Sequence, residues 1–181
     1  MILVIDVCES NGSLSYDEFL RPVVESIPPG MERSVRHYTE LVDGDISKAE
    51  RIIICGTALA DNGFMEHKER FSWLKTTNKP VLGICAGMQL IATAFGAKLA
   101  NATEMGMTEI TVRSKGSLLG DSGFKAYELH NFAPELPAGF VELANSASCI
   151  QAFVHKTKPL MGVLFHPEVR NRRIIAGFCG A

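Results

Sequence analysis

Glycines two residues to either side of a cysteine are the arrangement that presents a nucleophile at a sharp strand-to-helix reversal, and Gly83-Ile84-Cys85-Ala86-Gly87 has it. The glycines have a steric reason. Side chains there would collide with the adjoining strand and helix, and the residue between them takes a strained backbone. The reversal lifts the sulfur out of the sheet at the carboxyl ends of the strands, where open α/β sheets bind ligands. It also sets the thiol at a helix N-terminus, whose dipole and free N–H groups favour thiolate. The N–H of Ala86 or Gly87 then points toward any oxyanion that develops during attack. The plain alternative is a buried cysteine in a glycine-rich turn. A phosphate-binding turn does not fit, because no Lys-Ser/Thr follows and the glycine spacing is not that of a dinucleotide fold.

A nucleophilic thiol needs a base, and the base needs an orienting partner. Of five histidines, His37 and His67 fall in polar or helical stretches and are expected to face solvent, as is His155 in HKTKP. His130, in YELHNF, is open between ligand contact and structure. His166 ends the apolar run LMGVLFH and is followed by Pro167-Glu168. In extended chain, residues two apart share a side, so Glu168 reaches the imidazole. Pro167 restricts the backbone that holds them together. The carboxylate would select the imidazole tautomer and stabilise imidazolium. Alone, His-Pro-Glu is an ordinary strand-end turn. Beside a cysteine elbow it completes a nucleophile, base and acid.

The elements needed to position these groups alternate along the first half of the chain. Apolar runs at 2–7, 34–40, 51–57 and 80–86 predict strands, and amphipathic stretches at 16–27, 65–77 and 87–96 predict helices. Strand and helix in alternation with short connections imply an open, mostly parallel α/β sheet with helices on both faces. From residue 98 the texture changes to closely spaced strand-like runs separated by Gly, Pro and Asn turns, which predicts antiparallel strands added at one edge. A short helix at 172–179 closes the chain. No internal repeat or linker divides it, so residues 1–181 read as a single domain.

Composition narrows the function classes. Hydrophobic residues make up 46% of the chain, enough for a substantial core. The net charge of −2, with no basic run, argues against nucleic-acid or membrane-surface binding. The opening MILVIDV lacks a basic leader and reads as a strand, so a cytoplasmic protein is expected. The five cysteines show no CxxC pair and no zinc-type Cys/His spacing. Cys8, Cys55, Cys149 and Cys179 are therefore expected as buried, reduced thiols, and no metal or organic cofactor is expected.

Three stretches in order, PVLGICAGMQLIATAFG, LHNFAPELPAGFVELANS and GVLFHPEV, resemble the class I (triad-type) glutamine amidotransferases, over residues 51–169. The resemblance implies that Cys85 attacks the glutamine side-chain amide, with His166 as base and Glu168 orienting it. It implies substrate contacts at Gly56 and Gly87 (oxyanion N–H groups), Gln89, and the segment His130, Asn131 and Phe132. Where that family commonly has Gly-Gly-Pro in the oxyanion loop, this chain has Gly56-Thr57-Ala58, and Leu164 stands where glutamine is usual. The resemblance further implies ammonia delivery to a synthase partner of the ATP-pyrophosphatase type. The stretches LPAGFVELANSASCIQAF and HKTKPLMGVLFHPEV look most similar to the glutaminase subunit of two-subunit GMP synthases, with anthranilate synthase component II as the alternative acceptor system. Also open are a stand-alone γ-glutamyl hydrolase and a catalytically silent regulatory subunit.

Overall fold

The computed structural model describes residues 1–10 and 14–180. Nine strands form one sheet in the order β2-β1-β3-β4-β9-β8-β7-β5-β6. Strands β1 (Ile2–Asp6), β2 (Arg33–His37), β3 (Arg51–Ile54), β4 (Val81–Ile84) and β9 (Leu160–Val163) pair in parallel. Strands β5 (Leu99–Val112), β6 (Phe124–Pro134), β7 (Phe140–Asn145) and β8 (Ile150–His155) join antiparallel beyond β9. The antiparallel strands lie together at one edge, as expected, and their number makes the sheet mixed rather than strictly mostly parallel.

The central strands are buried throughout because both faces are covered. Along β1, Ile2 and Val4 turn to one core with Leu20, Val23, Ile174 and Phe178, whereas Leu3 and Ile5 turn to the other with Phe71, Leu74 and Ile91. That is the period of two expected of a strand sandwiched between helical layers. The first layer holds α1 (Arg21–Ser26) and α5 (Arg173–Gly180), and the second holds α4 (Ala86–Ala94) and a 3₁₀ segment, Lys68–Lys75.

Two expected helices are broken. The stretch 16–27 is a π-helical turn, Tyr16–Leu20, running into α1 with Pro22 in its first turn. Pro22 has no N–H to donate to an earlier carbonyl, so the regular ladder restarts around it. The stretch 65–77 is a short helix, α3 (Gly63–Glu66), followed by the 3₁₀ segment. A short helix α2 (Asp43–Lys48) was not foreseen; it has no buried residue and hence no apolar stripe to read. By contrast α4 follows its sequence signals closely. Gly96, at φ 86°, ends it, with the Ala97 N–H donating to the Ala92 carbonyl.

Strands β5 and β6 form a long hairpin that the sheet holds only at one end. They pair from Leu99 opposite Pro134 to Ile110 opposite Phe124, with a register shift between Asn101 and Glu104. Only Thr111 and Val112 of β5 pair with β7.

Candidate active site

Cys85 stands between β4 and α4 at φ 48° and ψ −103°, the one non-glycine residue of positive φ among the described residues. Such a conformation costs a few kcal/mol and is held by its surroundings. The Cys85 N–H donates to the Val163 carbonyl, extending the β4–β9 ladder by one bond, and the Gln89 N–H donates to the Cys85 carbonyl as the first bond of α4. The glycine requirement is met literally. A Cβ on Gly83 would lie 2.5 Å from the Gly87 backbone, and one on Gly87 would overlap the Ile54 carbonyl. The elbow thus packs backbone to backbone against β3 with no room for a methyl group. Ala86, Gly87 and Met88 form the first turn of α4, where N–H groups have no acceptor within the helix.

His166 follows β9, the parallel neighbour of β4, so the two chemical groups leave adjacent strands at the same end of the sheet. Its Nδ1 lies 2.7 Å from Glu168 Oε1, and both side chains are 1% exposed. The chain reaches this geometry by a turn and not by the extended backbone expected, for the Val169 N–H donates to the His166 carbonyl over 3.2 Å. Pro167 occupies the second position of that turn, where its fixed φ is favoured. The His166 N–H donates to the Tyr127 carbonyl, and the Arg172 guanidinium donates to the Glu168 carbonyl, so both ends of the turn are anchored.

Gly56 separates the nucleophile from the base. A Cβ there would lie 2.7 Å from His166 Cε1 and 3.2 Å from Cys85 Cβ. His166 Nε2 is buried with no hydrogen-bond partner among the described residues, and the Cys85 thiol donates to the Leu129 carbonyl at 3.7 Å. Burial alone would push the imidazole pKa down, but the Glu168 carboxylate and the Cys85 sulfur beside it hold it well above its ordinary value. A thiol, an imidazole with a free nitrogen and a carboxylate on the imidazole's other nitrogen are the parts of a nucleophilic acyl-transfer site.

The pocket beside the sulfur draws on three elements. Cys85, Ala86 and Gln89 come from the elbow and α4, Leu129 to Phe132 from β6, and Thr57 to Asn62 from the loop after β3. Gln89 Nε2 donates to the Phe132 carbonyl at 3.0 Å, which fixes α4 against β6. The loop is braced by Thr57 Oγ1 donating to Asp61 Oδ2, an acceptor also for the Glu9 N–H. The pocket is a small cleft, partly open to solvent. A second hollow, of about 290 Å³, lies along Phe19, Tyr127, His166 and Glu168.

The structure therefore brings together Cys85, Gln89, His130, Asn131 and Phe132 around one pocket; His166 and Glu168 line the second hollow instead, Gly56 packs against Cys85 and His166, and Gly87 packs against β3. The His130 side chain serves a different set of contacts, with Nδ1 donating to the Ala102 carbonyl at 2.8 Å. His37 is not at the surface as expected: it is 5% exposed, bonded to Thr39 Oγ1 and the Cys8 carbonyl. His155 is half-buried and accepts the N–H groups of Thr157 and Lys158. Leu129 and Tyr127 were missed by sequence reading, since their contribution is a backbone carbonyl and carries no side-chain signal.

The glutamine amidotransferase class-I family model matches residues 25–174. The chain belongs to the class-I glutamine amidotransferases. Among curated relatives, a Thermoplasma acidophilum protein named as a subunit of glutamine-hydrolyzing GMP synthase is 34% identical over 158 residues, covering 78% of this chain and 79% of that protein. The protein of the same name from Thermoplasma volcanium is 31% identical, covering 94% and 86%. That from Methanocaldococcus jannaschii is 40% identical over a shorter match, 55% of this chain and 58% of that protein. A crystal structure of a Thermoplasma acidophilum protein, provisionally named as the same GMP synthase subunit, superposes with a TM-score of 0.83 at 28% identity, covering 99% of this chain and 93% of that one. A Thermotoga maritima glutamine amidotransferase, 20% identical with a TM-score of 0.71 over 95% and 77%, shares the fold. No helix among the described residues is long and apolar enough to cross a membrane.

Proposed function

We propose that this amidotransferase domain is the glutamine-hydrolysing subunit of a two-subunit GMP synthase, with Cys85, His166 and Glu168 as its catalytic residues. The observation that carries the reading is His166, buried between the Cys85 elbow and Glu168 with one nitrogen on the carboxylate and the other unpartnered. Cys85 Sγ attacks the carboxamide carbon while its proton passes to His166 Nε2. The same proton goes to the departing nitrogen as ammonia leaves, giving a γ-glutamyl thioester. Water, deprotonated by the same imidazole, then releases glutamate and returns the thiol. The first-turn N–H groups after Cys85 and the Gly56 backbone face the oxyanion, and the 129–132 backbone holds the amino-acid end of glutamine.

The cleft beside the sulfur is small, and the 57–62 loop that lines it is the segment whose movement would widen it for glutamine. We assign that movement to docking of the ammonia-accepting synthase, of the ATP-pyrophosphatase type. The second hollow, lined by Phe19, Tyr127, His166 and Glu168, gives ammonia an exit beside the base. The names of the relatives favour GMP synthase over anthranilate synthase as the acceptor system. The Gly56-Thr57-Ala58 loop is the feature that would suit a silent subunit instead.

Labelling with 6-diazo-5-oxo-norleucine, followed by mass spectrometry of the peptides, tests this reading. A single adduct on Cys85, prevented by glutamine and enhanced by the synthase partner, is expected. Absence of any adduct both without and with that partner would overturn it in favour of the silent subunit. Full labelling unaffected by the partner would point to a stand-alone hydrolase.

A further inference from the structure

The hairpin β5–β6 is joined to β7 and β8 by a buried polar cluster that adjoins the glutamine pocket through His130. Glu104 comes from β5, Glu128 and His130 from β6, Cys149 from the β7–β8 turn and Gln151 from β8. Glu104 Oε2 lies 3.3 Å from Cys149 Sγ and 3.4 Å from His130 Nε2. Glu128 Oε2 lies 3.3 Å from the same His130 nitrogen. The Glu104, His130 and Cys149 donor atoms all fall within 4.8 Å of one another.

His130 Nδ1 donates to the Ala102 carbonyl, which leaves Nε2 facing the Glu104 and Glu128 carboxylate oxygens at 3.4 and 3.3 Å. That nitrogen makes no hydrogen bond with either carboxylate, and neither oxygen of Glu128, at 0% exposure, has a hydrogen-bond partner among the described residues. Buried groups left so are costly unless something bonds them. An imidazole with one nitrogen on a backbone carbonyl and the other free is also the posture of a metal ligand.

We propose that Glu104, His130 and Cys149 bind a zinc-class divalent cation, with Glu128 completing the site. With Zn–N and Zn–O of about 2.0 Å and Zn–S of about 2.3 Å, a tetrahedral site has edges of roughly 3.3–3.5 Å. The Glu104–Cys149 and Glu104–His130 separations of 3.3 and 3.4 Å fall on such edges, and all three donor atoms lie within 4.8 Å of one another. Binding requires Cys149 to lose its proton, and the cation replaces it. Gln151 Nε2 donates to Glu104 Oε2 at 2.6 Å and to Cys149 Sγ at 3.4 Å, and the Ser146 hydroxyl donates to Glu104, orienting two of the ligands. Such outer partners typically accompany metal ligands. The role is structural: the ion ties the hairpin to the sheet directly behind Leu129, Asn131 and Phe132, whose other side forms the glutamine pocket.

The full-length chain, stripped with chelator and kept reduced, is titrated with Co²⁺. One equivalent should give thiolate-to-cobalt charge transfer and the intense visible bands of a four-coordinate ion, both removed by Zn²⁺. Cys149→Ser should abolish the charge-transfer band, and Cys85→Ser should leave it intact. No bands in the wild-type chain, or bands lost with Cys85→Ser and kept with Cys149→Ser, would overturn the proposal. In case Cys149→Ser does not fold, alkylation of Cys149 in the native chain is followed by mass spectrometry. Zinc should slow it at least tenfold and glutamine should not; an unchanged rate with zinc refutes the site.

Discussion

Gly56→Ala probes whether the spacing of nucleophile and base is set by backbone alone. The added methyl would sit 2.7 Å from His166 Cε1 and 3.2 Å from Cys85 Cβ, where carbon atoms settle at about 3.5–4.0 Å. Roughly 1 Å must be recovered by displacing the imidazole, because Cys85 is fixed by the Val163 and Gln89 backbone bonds and has no slack. The ring cannot pivot freely either, since Nδ1 is held 2.7 Å from Glu168 and the His166 N–H is tied to Tyr127. A misplacement of that size costs on the order of 100-fold in rate. Overpacking should cost about 1–3 kcal/mol of stability, or roughly 2–4 °C in Tm per kcal/mol for a chain this long. The assay is glutamate release by the complex with its synthase partner, with KM and kcat separated, beside a circular-dichroism melt. The expected pattern is a kcat loss near 100-fold with a folded protein and little change in KM. Gly44→Ala serves as control, since its Cβ meets only Val42 at 4.0 Å. A Gly56→Ala variant with wild-type kcat would refute the reasoning, by showing that the loop after β3 yields without disturbing the His166 ring.

Cys85→Ala and His166→Ala should each abolish glutamate release to a similar extent, because nucleophile and base act as one unit; mass-spectrometric detection of the thioester should fail in both, while far-ultraviolet dichroism stays unchanged. Glu168→Gln should cost about 10- to 100-fold less than losing the nucleophile, and it should also move a pH profile. Burial lowers the His166 pKa and the Glu168 charge raises it, so removing that charge shifts the acidic limb of kcat/KM, which the base sets, to lower pH. Stability follows the same sign: a His held above its ordinary value contributes most below about pH 6.5, and loses that contribution as pH rises through the folded pKa. The Glu168→Gln melt should therefore show a smaller difference between acidic and alkaline buffer than the parent chain.

The elbow was legible because its constraint is steric and local: Gly83 and Gly87 are excluded from bearing side chains by atoms within a few residues or on the next strand. The His166–Glu168 bond was also legible, although by the wrong route, since both an extended backbone and a Pro-centred turn bring residues two apart together. The central strands announced themselves through unbroken apolar runs. The breaks in the expected helices did not, because Pro22 in a first turn and a 3₁₀ segment leave the apolar spacing almost unchanged. The sheet's mixed character was underestimated for a similar reason. Antiparallel strands that alternate in burial, like β5, look like edge additions whatever their number.

What sequence spacing could not supply is any group whose partner lies on a distant strand. Cys149 had no cysteine or histidine at ligand distance along the chain and was assigned the default of a buried thiol; it is half-buried and touches Glu104. His130 was ambiguous for the same reason, as its environment is made by β5 and β8 as much as by β6. Strand order explains both the success and the failure. The sheet places β9 beside β4, so two motifs that each end a strand meet at one end of the sheet, and motif reading alone was enough. The cluster behind the pocket instead depends on how far the β5–β6 hairpin diverges from β7, a property of twist and pairing that no single segment records. If that divergence is held by a cation, the pocket wall from Leu129 to Phe132 inherits its rigidity from Glu104, Glu128 and Cys149, which do not line the pocket.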